Sequence, residues 1–315
     1  MQNQPPKQSP AFTLVEMAIV LVIVGILLTM FLGGGRAFLD AQKRKNVRER
    51  LDALDVALAN FVAINKRLPC PADGSRPSGH VLAGVEGVSN GNCTPALQSN
   101  GVLPWVTLGL TEVEASDPWH ARLTYRVDPA LAAAAPQPLL MNMSNCDPSA
   151  TGAAGAGGIC IAPTLPCTGN ANCTSPANYL AGKGLDVWNG LNDANGWNAR
   201  QNNTLTGTGA AYVLISHGPS GAGAYNGNGV LQLGTIDPGI NCEERNLNGL
   251  ALAKPATQAN AYCDGPLNDN AKGYIYPVPP PPVQLPRTEV HFDDYMSHPT
   301  IMSVLNRAQL GPRAH

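Results

Sequence analysis

The apolar run from residue 12 to residue 32 constrains this chain most, because a single glutamate, Glu16, stands inside it near its start. Such a run is long enough to cross a bilayer as a helix. A carboxylate in lipid costs at least a few kcal/mol unless it meets a partner, so Glu16 needs one. Removal of the polar leader, residues 1–11, would release a new α-amine at Phe12. That amine would neutralise the Glu16 carboxylate of a neighbouring copy and set the register of a helical filament.

The segment Lys7-Gln8-Ser9-Pro10-Ala11-Phe12-Thr13-Leu14-Val15-Glu16 resembles the processing site of type IV prepilins and type II secretion pseudopilins. The resemblance implies leader cleavage between Ala11 and Phe12, N-methylation of Phe12, and an assembly role for Glu16. The family usually has Gly before the cut, where this chain has Ala11. The implied fold is α+β and type IV pilin-like: a long N-terminal α-helix packed on an antiparallel β-sheet with long disulfide-bearing loops. The implied partners are other pilin or pseudopilin subunits, a prepilin peptidase, the inner-membrane assembly platform and the membrane itself.

Two other readings compete. A secretory signal peptide has a basic start, a shorter apolar stretch and a small-residue cleavage site after it. Here the run carries Glu16 and is followed by Gly33-Gly34-Gly35 without an Ala-x-Ala pattern. A plain transmembrane anchor fits the length but leaves Glu16 unexplained.

Orientation sets two signals against each other. Only Lys7 precedes the run, while Arg36, Lys43, Arg44, Lys45, Arg48 and Arg50 follow it. Read alone, the preference of basic residues for the cytoplasm would hold the remainder of the chain inside. The cysteines argue the other way. All eight (Cys70, Cys93, Cys146, Cys160, Cys167, Cys173, Cys242 and Cys263) lie beyond the run in loop-like surroundings, which favours disulfides and an oxidising compartment. No zinc-type spacing links them. Closeness alone suggests the pairs Cys70–Cys93, Cys146–Cys160, Cys167–Cys173 and Cys242–Cys263. The expected location is the inner membrane as a single-pass protein with a periplasmic head, then the pilus or pseudopilus.

Organisation follows from periodicity. We expect a leader at 1–11, a transmembrane or filament-core helix at 12–35, its amphipathic continuation at 36–67 and a periplasmic or extracellular head at 68–315. Val47, Leu51, Leu54, Leu58 and Phe61 alternate spacings of four and three, one face of a helix. Pro69 supplies a stop after Lys66. Residues 33–35 are expected to bend or melt the helix, since each glycine weakens it by roughly 1 kcal/mol relative to alanine.

In the head, 33 glycines and 28 prolines imply many turns. Pro277 and Pro279 to Pro282 should form an extended polyproline connector. Leu123, Tyr125 and Val127 alternate with Thr124 and Arg126, the period of a half-buried strand, and Tyr212-Val213-Leu214-Ile215-Ser216 is a further strand. Asp117-Pro118-Trp119 before the first of these, and Ile215-Ser216-His217-Gly218-Pro219-Ser220-Gly221 after the second, resemble pseudopilin heads. So does the late segment His291-Phe292-Asp293-Asp294-Tyr295. In the major pseudopilins a late acidic loop holds calcium, an oxygen-liganded ion. Ser220 stands here where they carry Asp, so Asp293 and Asp294 are weak calcium candidates and are expected instead to cap a short final helix through Ile301, Val304 and Leu305. No other cofactor is expected.

The run His217-Gly218-Pro219-Ser220-Gly221 misses the Gly-x-Ser-x-Gly elbow, and no catalytic histidine pairing is evident, so an enzyme is not expected. A net charge of −2 gives no basic surface for nucleic acid. The expected function is a structural subunit, a minor pilin or pseudopilin. An adhesin-like binding head on a pilin anchor, or a membrane-tethered periplasmic enzyme, are the alternatives.

Overall fold

The computed structural model describes residues 14–132, 140–163, 166–167, 171–188, 191–192, 196–197, 200–232, 246–247, 261–264 and 294–315; side chains at 27–37, 191–192, 196–197, 200 and 261 are not described. The chain divides into two compact units, Met1–Asn46 and Val47–His315.

One helix, α1, spans Leu14–Asn65. It runs through residues 33–35 as continuous helix, so the three glycines do not melt it. Three glycines weaken a helix but do not remove its hydrogen bonds, and a helix of 52 residues propagates cooperatively across a weak stretch. α1 stops where Lys66 turns left-handed at φ 56° and sends its N–H back to the Val62 carbonyl at 2.8 Å.

Within the second unit, Val47, Leu51, Leu54 and Leu58 are buried as their spacing predicts. Val62 completes the stripe in place of Phe61, which sits half-buried at its margin with the Arg67 guanidinium 5.3 Å from its ring centre. Arg50 donates to the backbone carbonyls of Val113, at 3.0 Å, and Ser116.

The stripe packs on a five-stranded sheet: β1 (Ala72–Asp73), β2 (Gly101–Val102), β3 (Thr124–Val127), β4 (Tyr212–Ser216) and β5 (Tyr295–Ser297). Spatial order equals chain order and every neighbouring pair is antiparallel, so the sheet is a meander interrupted by long excursions. Leu214 lies opposite Tyr125 on one side and Ser297 on the other. Tyr125, Val127, Tyr212 and Leu214 share the main core with the α1 stripe and with Ile301, Val304 and Leu305 of the last helix, α2 (Ile301–Arg307).

The other face of the sheet is covered too. Val213 and Ile215 pack with Leu185, Val187 and Tyr262 in a second core. Val187 belongs to the central strand, Asp186–Trp188, of a small sheet flanked by Arg200–Asn202 and, in parallel, by Ala261–Cys263. The insertion after β3 and the insertion after β4 thus combine into one layer. This overturns the half-buried reading of β3. Thr124 and Arg126 are as buried as Leu123 and Tyr125, because chain remote in sequence lies over the face that alternation assigns to water.

Disulfides join Cys70 to Cys93, Cys146 to Cys160 and Cys167 to Cys173. The first two lie in the main core, the third in a small cluster with Ala150. Cys263 is also disulfide-bonded, while its expected partner, Cys242, lies outside the described residues. The polyproline segment lies outside them as well.

Candidate functional site

Two places gather the residues singled out by the sequence: the start of α1, and the region where β4 meets the second insertion.

At the start of α1, Ala11 and Phe12 lie outside the described residues. Glu16 sits in the first helical turn, where the unsatisfied N–H groups and the helix dipole favour a negative charge. Around it the helix is apolar on all sides: Leu14 is 87% exposed, Leu21 68% and Ile26 53%. Every described side chain from 14 to 26 is exposed. A helix apolar all round is a buried element of something larger, either lipid or a bundle. Among the described residues, no helix is long and apolar enough to cross a membrane; the side chains of 27–37 are not among them.

At the end of β4 the loop carries a buried polar chain. His217 is fully buried, its Nε2 lies 2.9 Å from the Thr124 hydroxyl of β3, and its Nδ1 faces Asp294 Oδ1 at 3.3 Å. The Asn246 amide donates to Asp294 Oδ2 at 2.8 Å and to the Cys263 carbonyl at 2.8 Å. One residue earlier, the Ser216 hydroxyl donates to Asp117 at 2.8 Å, and Asp117 also accepts the N–H groups of Trp119 and Ala121. Burial pushes the Asp117 carboxyl up, against the pull of these donors. The Asp-Pro-Trp segment is therefore a turn whose carboxylate ties the chain leading into β3 to the end of β4.

This arrangement corrects the capping role expected of the Asp pair. The cap of α2 is Thr300, whose hydroxyl oxygen accepts the Ser303 N–H at 3.1 Å. Asp294 instead immediately precedes β5, with six residues between it and the helix, and its carboxylate accepts from Asn246 of the second insertion. Its neighbours are an imidazole and an amide donor, not the ring of oxygens that calcium demands, and they do not fit that ion. Among the described residues, no group of three or more His, Cys, Asp or Glu converges as a metal site. Asp293 lies outside them.

The histidines are spread over separate environments. His80 and His120 lie on loops, and His298 bridges Asn202 and Asp264 at 2.7 and 3.1 Å. The Ser220 hydroxyl donates to the carbonyl of His217 rather than approaching its ring. The sequence places Asp55 on the charged side of the amphipathic helix and does not mark Arg122 or Lys183 as buried, yet all three are. Asp55 bridges α1 to the sheet. Arg122 donates to Glu112 at 2.6 Å and to the carbonyls of Gly74 and Arg76. Lys183 stands 3.5 Å from the Tyr179 ring centre, its amine lowered to about 8 by burial. Charged residues in a chain pattern read as surface, and nothing local in the sequence marks these as exceptions.

Residues 7–32 match the prokaryotic N-terminal methylation motif, the prepilin-type cleavage and methylation signature. That motif implies a membrane-anchored, pilin-type structural subunit, processed by a prepilin peptidase and assembled with other pilins. No curated protein and no solved structure matches the chain.

Proposed function

We propose that this chain is a structural subunit of a type IV pilus or type II secretion filament, a minor pilin or pseudopilin held in the inner membrane before assembly. The observation that carries this reading is the placement of Glu16, inside the matched signature, in the first turn of a helix whose opening stretch, residues 14–26, leaves every described side chain exposed. Cleavage between Ala11 and Phe12 frees an amine, and methylation keeps that amine charged. As α1 leaves lipid for a bundle of like helices, van der Waals contacts with lipid are exchanged for contacts with neighbouring helices. Glu16 then meets the Phe12 amine of an adjacent copy, so an ion that is costly in lipid becomes a paired one.

The head, exposed to an oxidising periplasm, keeps its disulfides and is carried by α1 into the filament. The pilin-like description of its fold rests on the same elements: a long N-terminal helix, an antiparallel meander and disulfide-bearing insertions. The test is intact-mass measurement of the protein extracted from membranes of cells with a working prepilin peptidase. The expected mass is that of residues from Phe12 onward plus one methyl group, with cysteines oxidised. A mass that retains the leader overturns the reading.

A further inference from the structure

Among the described residues of the second unit, Asp55 is the charged side chain that α1 buries against the sheet. Its two carboxyl oxygens reach two different strands: Oδ1 accepts the Tyr212 hydroxyl of β4 at 2.8 Å, and Oδ2 accepts the Ser297 hydroxyl of β5 at 2.7 Å. β4 and β5 are direct neighbours, with Leu214 opposite Ser297. One side chain therefore clamps the helix to the last strand pair of the meander, and β5 is the strand the chain reaches only after the whole second insertion.

We propose that this clamp is a proton-operated joint: uncharged Asp55 holds β5 firmly to α1, and ionised Asp55 loosens it. The site disfavours a charge because Asp55 is only 9% exposed, on the helix that packs on the sheet. The charged groups facing Asp55 are Arg307 from α2, which favours the ion, and Asp52 one turn earlier on α1, which opposes it. Burial outweighs Arg307 and the two hydroxyls, and the Asp55 carboxyl lies above its ordinary range. The sign follows. An acid whose value is raised on folding binds its proton more tightly in the folded state, so its contribution is complete below the ordinary carboxylate range. It is lost as pH rises through the folded value. The joint is tight in acid and slack toward neutrality.

The test is amide hydrogen exchange of the full-length protein in detergent, corrected for the intrinsic pH dependence of exchange and read at residues 295–297. Protection there should fall by more than about twofold between about pH 4 and 8 in the natural protein. In Asp55→Asn it should stay level within about twofold over the same range. A fall that survives unchanged in Asp55→Asn would belong to Asp117 or Asp128, both pushed up by burial, and would overturn the proposal. Should Asp55→Asn fail to fold, Ser297→Ala decides. It deletes one donor to the ion, so the loss of protection should move to higher pH, and an unmoved midpoint overturns the joint.

Discussion

The described part of α1 holds two stretches that obey different rules. Residues 14–26 carry apolar side chains on every side and all of them are exposed, whereas residues 47–62 carry an apolar stripe on one face and bury it. The difference shows where each stretch finds its partner. One apolar stripe needs one neighbouring surface, and the sheet of the same molecule provides it. An apolar surface all round needs surroundings on all sides, which a single head does not provide. Stability of the head and competence for assembly should therefore separate along one helix.

The largest expected effect is on assembly. Glu16→Ala should leave membrane insertion and leader removal unchanged but cut incorporation into filaments more than tenfold, since losing one partner of a buried ion pair costs about 3–5 kcal/mol. Filament fractionation measures it, and normal incorporation would break the comparison. In the second stretch, Leu58→Ala removes a fully buried side chain and should destabilise the head by about 2–5 kcal/mol, read by denaturant unfolding. Leu21→Ala, a change of the same size at an exposed position, should leave that unfolding curve within about 0.5 kcal/mol. Equal losses in the two variants would erase the distinction.

Smaller changes sharpen it. Replacing Cys70 and Cys93 together by Ala opens a loop with a sequence separation of 23 and should cost about 3 kcal/mol of head stability. Comparison of the midpoints of chemical unfolding checks this, and assembly of the surviving folded fraction should persist. Least costly is Thr300→Ala. Losing the α2 cap should lower stability by about 1 kcal/mol, visible as a melting-temperature decrease of a few degrees in a circular dichroism scan. A decrease as large as that of Leu58→Ala would mean that α2, not the α1 stripe, dominates the core.

How much was legible depended on whether the cause was local. The buried stripe through Leu58 follows from spacing alone, and β4 ends at Ser216 where the apolar run meets His217 and Gly218. The swap of Val62 for Phe61 is a matter of a single helical step, and only the sheet beneath decides which of the two faces it. Alternation gives β3 as half-buried, because alternation reports chemistry and not coverage. Arg126 alternates like a surface residue, yet Tyr262, 136 positions later in the sequence, packs above it in the second layer. Chain order sets Asp294 beside the last helix, whereas its partners His217 and Asn246 come from 77 and 48 residues away.

The amino-acid order alone decided those features whose physics is contained in a few consecutive residues: an acid set in an apolar run, a helical stripe, a strand period, cysteines close enough to pair. Tertiary structure alone decided which face of the sheet meets water, which hydroxyl caps α2, and that Asp55 would grip two strands at once. Those outcomes depend on surfaces brought together across long insertions. Burial and charge pairing are set by the distance between atoms in space, and chain order does not encode that distance.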